Sequence, residues 1–205
     1  MFDYRRFWSL EVRMIRGALR AHPLGVEFDQ LRRIEDGELE AKGPLRFHHD
    51  QGTRPKDVVE TTYPPVLLYS DRLIRVLRAG DCSGWKTYEV EIYDELGHLV
   101  SGYHGLVVTG RAGPIVDSLS PAMEVPPYVP GGPVPVHRIG IRFLPETWDG
   151  SDVFRPADTQ FTCVTQKVRD ALVAAKLTNL RLRRITEIEL PLYGHELEKY
   201  ERERQ

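Results

Sequence analysis

Several stretches of this chain carry residue types able to do chemistry. His48-His49-Asp50 sets two imidazoles beside a carboxylate, the donor types of a transition-metal site. Adjacent residues on an extended chain point to opposite faces, so at most one histidine and the aspartate converge. With no second cluster to complete a tetrahedral set, exposed loop residues are the expected reading. Gly80-Asp81-Cys82-Ser83-Gly84 resembles the surroundings of a serine nucleophile, but a cysteine is inserted and no Gly-x-Ser-x-Gly elbow is present. A helix stop followed by a turn accounts for all five residues. Cys82 or Cys163 paired with a distant histidine is the one enzymatic reading left, a cysteine-dependent hydrolase. Asp149 and Asp152 lack the alternating acids and distal glutamate of a calcium loop, and read as turn formers. Tyr103-His104 and Asp117 give no triad spacing. Gly110-Arg111-Ala112-Gly113 lacks the lysine and the length of a phosphate loop. No other catalytic, metal-binding or cofactor-binding residue emerges from these stretches.

The elements that must position these residues are legible to different degrees. Phe7 to Val12 alternates and is rich in strand formers, with a helix through Ile15 to Leu19 as the rival reading. Residues 21–60 are expected to be irregular, with short strands at Gly25–Phe28, Glu38–Ala41 and Leu45–Phe47 between turns at Asp36-Gly37 and Gly43-Pro44. After the lead-in Pro64-Pro65, Ser70 caps a helix over Ser70–Ala79 that buries Leu73, Ile74, Val76 and Leu77 and ends at Gly80 as its C′ residue. Arg72, Arg75 and Arg78 form its solvated side. Trp85 to Tyr93 and His98 to Thr109 form a hairpin about Asp94-Glu95-Leu96-Gly97, which Gly110 to Pro114 breaks. Six prolines between residues 120 and 135 predict a loop, and strand pattern resumes over Val136 to Leu144. Trp148 to Pro156 is a turn flanked by the core anchors Trp148 and Phe154. Phe161 to Val164 is a buried strand. Thr165 then caps a helix over Gln166–Lys176 that stops near Asn179, and a final strand follows. The charged tail 194–205 predicts a frayed helix.

The chain has 205 residues, 41% of them hydrophobic and 28% charged, which is the composition of a folded globular chain. A formal charge of −2 removes any global argument for nucleic acid or an anionic membrane as partner. Two cysteines without pairing or metal spacing suit a reducing compartment. The stretch from Met1 to Arg6 has no apolar run behind its basic pair, so no signal peptide is read, and a cytoplasmic location is expected.

Taken together, Tyr69-Ser70-Asp71-Arg72-Leu73, the Trp85/Tyr88 hairpin returning through Gly102-Tyr103-His104, Trp148 to Pro156, Val164-Thr165 and Ala174 to Asn179 resemble a myxobacterial-type immunity protein of polymorphic toxin systems. That family was long classed as a domain of unknown function. The resemblance covers roughly residues 65–190, and the Trp148–Pro156 and Ala174–Asn179 stretches are its distinctive parts. It implies a cytoplasmic, non-enzymatic inhibitor that binds one cognate toxin domain stoichiometrically, without a cofactor. The family carries over no site residues. Aromatic anchors are the usual currency of such interfaces, and Trp85, Tyr128 and Trp148 are the toxin-binding candidates. A regulatory interaction module or a homodimer built on a self-complementary apolar surface is the other non-enzymatic reading. The fold class expected is α+β: one immunity-like domain over 1–205 with a mostly antiparallel sheet and at least two packed helices, its first 64 residues the least defined.

Overall fold

The computed structural model describes residues 2–64 and 66–203. Met1, the lead-in Pro65 and the last two residues of the charged tail lie outside the described residues. In chain order the elements are β1 (Phe7–Val12), β2 (Arg20–Leu24), α1 (Phe28–Glu35), β3 (Leu45–Gln51), β4 (Val58–Thr61), β5 (Leu67–Ser70), α2 (Asp71–Ala79), β6 (Trp85–Tyr93), β7 (Leu99–Val100) and β8 (Tyr103–Val108). There follow β9 (Gly110–Ala112), β10 (Ala122–Glu124), β11 (Val136–Ile139), β12 (Val153–Pro156), β13 (Cys163–Thr165), α3 (Gln166–Ala174), β14 (Leu180–Arg184), β15 (Glu189–Pro191) and α4 (Gly194–Glu203). The class is α+β, and most strand pairs are antiparallel.

One sheet closes on itself. Its order is β3-β2-β4-β5-β8-β6-β7, and β3 also pairs with β6, Phe47 lying opposite Ile92. Closure removes the sheet edges at β3 and β6 that would otherwise be open to other chains. Inside the ring pack Phe47, Leu68, Ile92 and Val59, with Leu31 and Ile34 of α1 among them. The five-stranded sheet, β14-β1-β13-β12-β9, lies against the outside of this ring. Between the two layers Leu10, Val153 and Val164 meet Val58, Tyr69 and Leu106, together with Leu73 and Leu77 of α2 and Val168 and Leu172 of α3. The other face of the five-stranded sheet carries an aromatic cluster of Phe7, Phe143 and Phe154. A third sheet, β10-β11-β15, stands beside it.

The first 64 residues are therefore not irregular. They supply β1 to the five-stranded sheet and β2, β3 and β4 to the ring, so they are woven through both layers. The expected strands at Gly25–Phe28 and Glu38–Ala41 are absent. Phe28 instead opens α1, whose Leu31 and Ile34 fall on one helical face and are fully buried. No helix runs from Ile15 to Leu19, since Gly17 sits at φ +73° within a turn between the two sheets. Nor does Gly110–Pro114 simply end the hairpin. Gly110–Ala112 is β9, which leaves the ring and pairs in parallel with β12. The proline-rich stretch carries the short β10 at a sheet edge, where prolines on either side do no harm, and is otherwise loop. Among the described residues no helix is long and apolar enough to cross a membrane.

Both anticipated helices are present, but their ends differ from expectation. Ser70 Oγ accepts from Leu73 N at 3.3 Å, as an N-cap should. The left-handed residue after α2 is Asp81 (φ +46°), not Gly80 (φ −81°). Asp81 N donates to Arg78 O and Cys82 N to Leu77 O, both at 3.0 Å, which is the paired bonding of a Schellman stop. The second helix ends at Ala174 rather than Lys176, and Lys176 (φ +51°) takes the left-handed position. Thr165 makes no cap bond there, and its hydroxyl donates to Asp152 Oδ1 at 2.9 Å.

Candidate functional site

Each group of chemistry-bearing residues acquires partners in the fold, and most of those partners are structural. His48, His49 and Asp50 lie on β3, not on a loop. Asp50 pairs with Arg20 at 2.6 Å and His49 Nε2 reaches Gly52 O at 2.9 Å. Among the described residues no group of three or more His, Cys, Asp or Glu is placed to hold a metal ion.

The Gly80–Gly84 segment interlocks with the Trp148–Pro156 stretch. Ser83 N donates to Asp152 Oδ2 and Asp152 N to Ser83 Oγ, each at 3.1 Å, and Val153 N donates to Ser83 O at 3.0 Å. Lys167 Nζ bridges Asp152 Oδ2 at 2.9 Å and Asp81 O at 2.8 Å. The two strands approach so closely that a Cβ at Gly84 would sit 2.0 Å from Val153 O, and one at Gly110 would sit 2.2 Å from it. Asp149 accepts from Ser151 N and Arg111 N. Burial pushes the Asp149 and Asp152 carboxyls up, but hydrogen bonds to their charged forms outweigh it and hold both below their ordinary values. The same burial pushes the half-buried Cys82 thiol up, and Lys167 only partly opposes it. Cys163 is fully buried and its thiol is raised further. A nucleophilic thiol requires the opposite shift. Both cysteines are free.

Ser70, Asp71 and His104 bring triad-type side chains to one place, but not in triad order. His104 Nε2 meets Asp71 Oδ1 at 2.6 Å, while Ser70 Oγ donates to Asp57 Oδ1 at 2.9 Å. Asp57 is a buried hub. Its Oδ2 accepts from Thr178 N at 2.6 Å, Thr178 Oγ1 at 2.8 Å and Arg72 Nη1 at 3.3 Å. Burial raises this carboxyl, yet the Thr178 and Ser70 bonds and the Arg72 charge bring it below 3.8. Asn179 adds a two-way bond to the Val58 backbone. The stretch Ala174 to Asn179 is thus a latch onto β4.

The three aromatic candidates part company. Trp85 is half-buried against the interlayer core and donates Nε1–H to Cys82 O at 2.7 Å. Trp148 packs against Phe7 and Phe154, with centroids at 5.1 and 5.8 Å, and donates to Ser151 O at 3.2 Å. Tyr128 is 76% exposed. It rides on a loop closed at its base by Val125 N to Pro135 O (2.9 Å) and at its tip by Gly132 N to Val129 O (3.0 Å). Its hydroxyl meets His137 Nε2 at 3.0 Å, and His137 Nδ1 meets Glu189 Oε2 at 3.2 Å. His137 is only 4% exposed, so this histidine stands as a post beneath the tyrosine. A neutral His137 donating Nδ1–H to the carboxylate leaves Nε2 to accept the phenol proton. Met123 lies across from His137 in the β10–β11 register, on the same face, and is exposed. Val129 and Val134 of the loop are exposed as well. Met123, Val129, Val134 and the supporting His137 escaped sequence reasoning. The proline run marked the loop, but nothing in it marked which side chains face water.

No protein-family model matches the chain, and no curated protein is similar to it.

Proposed function

We propose that this protein is an immunity protein that neutralises one cognate toxin by forming a stoichiometric complex with it, without catalysis, through the Tyr128 loop. The observation that carries the reading is the preformed aromatic anchor: an exposed Tyr128 held from below by buried His137, on a proline-rich loop closed by its own hydrogen bonds. Inhibitory interfaces draw their energy from a few such anchors, and a rigid loop loses little entropy on binding. Exposed Met123, Val129 and Val134 supply apolar area around it. The sequence resemblance across residues 65–190 supports the toxin as partner. The raised thiols of Cys82 and Cys163 and the structural bonding of Ser70 weigh against the hydrolase reading.

Co-expression with a toxin gene adjacent to its own tests the proposal. The expected result is a 1:1 complex that co-purifies, and protection that fails once toxin exceeds the protein. Tyr128→Ala should stay folded and lose protection, whereas Cys82→Ala should retain it. Protection at sub-stoichiometric amounts would overturn the reading.

A further inference from the structure

Where the ring and the five-stranded sheet part, an open cleft of about 570 Å³ runs between β1 and the start of β5. Its walls are mostly apolar: Leu10 and Val12 from β1, Leu67 from β5, and Phe161 from the segment before β13. Met14, 81% exposed, stands at the mouth. The cleft is an outward continuation of the interlayer core, to which Leu10, Val12 and Leu67 belong.

Two carboxylates interrupt this lining, Glu11 and Glu60, and Glu11 is held by Arg183 at 2.8 Å. Glu60 lies two residues from core Val58 on β4 and directly opposite Leu67 in the β4–β5 register, so strand alternation turns its side chain toward the cleft. Glu60 is half-buried, and its carboxylate has no hydrogen bond or ion pair with any other described residue. On other strands Glu11 pairs with Arg183, Asp50 with Arg20 and Glu91 with Arg46. The register neighbour of Glu60 on β2 is Arg20, which bonds Asp50 at 2.6 Å, so the Glu60 carboxylate stands beside the hydrocarbon of the cleft with its hydrogen-bonding capacity open to a ligand.

We propose that this cleft binds a small apolar molecule carrying an amine, its ammonium paired with Glu60 and its hydrocarbon part laid along Leu10, Val12 and Leu67. The volume lies within the range of small-molecule sites, and largely apolar walls carrying a few polar groups are typical of them. An ammonium gains a charge-assisted bond there, while a carboxylate of the same length meets repulsion. The site is separate from the Tyr128 loop and does not rest on the toxin-binding reading.

Titration of the full chain with dansylcadaverine, a fluorophore on an alkylammonium chain, tests this. The fluorescence should saturate at one probe per chain, and octylammonium should displace the probe while octanoate does not. Glu60→Gln keeps the shape of the side chain and removes its charge. It should weaken binding about tenfold or more, the worth of a hydrogen bond to a charged group. Glu91→Gln on β6, with the same loss of charge, should leave binding within about twofold. Circular dichroism confirms that each variant is folded. An absence of saturable binding, displacement by octanoate as effective as by octylammonium, or equal binding by Glu60→Gln and the unaltered chain would each overturn the proposal.

Discussion

Tyr128 and Trp148 are both aromatic residues on turns, and their surroundings give them opposite roles. Trp148 touches the rings of Phe2, Phe7 and Phe154 and closes its own turn through Ser151 O. Truncating it removes core contacts without relieving any buried polar group. Trp148→Ala should therefore cost about 2–4 kcal/mol in denaturant unfolding, below the full range for a buried tryptophan because the side chain is half-exposed. Tyr128→Ala removes a largely exposed side chain and its one bond to His137, so unfolding should become easier by only about 1 kcal/mol while partner capture fails. A Tyr128→Ala protein that is folded and still captures toxin would remove Tyr128 from the interface. In the sequence both adjoin turn-forming residues, Trp148 reading as a core anchor with Phe154 and Tyr128 lying in the proline-rich loop. What separates them is burial, and burial at these positions is set by strands far away in the chain.

Helix ends give sharper contrasts. Lys176 adopts φ +51° just past α3 with no side-chain reason to do so, and glycine reaches that conformation without a Cβ penalty. Lys176→Gly should stabilise the protein by about 0.5–1 kcal/mol in thermal or denaturant melts. Asn179 shares the same φ, yet its amide bonds both backbone groups of Val58 in a buried setting. Asn179→Gly should destabilise by about 1–3 kcal/mol, because Val58 N–H and C=O lose their partner. If both variants shifted stability in the same direction, backbone strain alone would govern this corner. The elements most legible in the sequence were those whose signals are local: the β6–β8 hairpin, β1, the capped start of α2 and the start of α3. The α1 helix was hidden because five of the eight residues 28–35 are polar or charged and only Leu31 and Ile34 are its buried apolar residues. The ring was hidden because closing it takes parallel pairing of β3 with β6, and register between strands 45 residues apart leaves no local trace. The candidate site was half-legible: proline spacing marked the loop and Tyr128, but the His137 post depends on the third sheet.

At the scale of the molecule, the ring and the five-stranded sheet are joined by polar clamps as well as by the shared core. Arg155 of β12 reaches Asp36 at the end of α1, and Arg111 of β9 donates to Asp36 O at 2.6 Å. Behind them Glu35, 5% exposed, accepts from Tyr88 at 3.4 Å. Burial pushes the Glu35 carboxyl up to about 8, partly countered by the Arg155 charge and the Tyr88 bond and reinforced by Asp36. Tyr69 and Tyr88 face it from β5 and β6, and the nearby carboxylate adds to burial in raising their phenols. An acid raised in the folded state keeps its proton there after the unfolded chain has lost it. Its effect on stability is therefore constant below the ordinary value of 4.5, and stability falls as pH rises toward about 8. Asp57, Asp149 and Asp152 have the opposite sign: lowered in the fold, they cost stability only as pH falls below 3.8. The two windows do not overlap, so a single substitution isolates the first. Glu35→Gln keeps the size of the protonated acid and cannot ionise. Its unfolding free energy should track that of the unaltered protein near pH 5 and exceed it by a few kcal/mol, on the order of the linkage term, near pH 8. Urea unfolding at intervals across that range measures the difference directly. Parallel curves for the two proteins would mean that Glu35 ionises in the fold at little cost and that the Arg155 charge balances it in full.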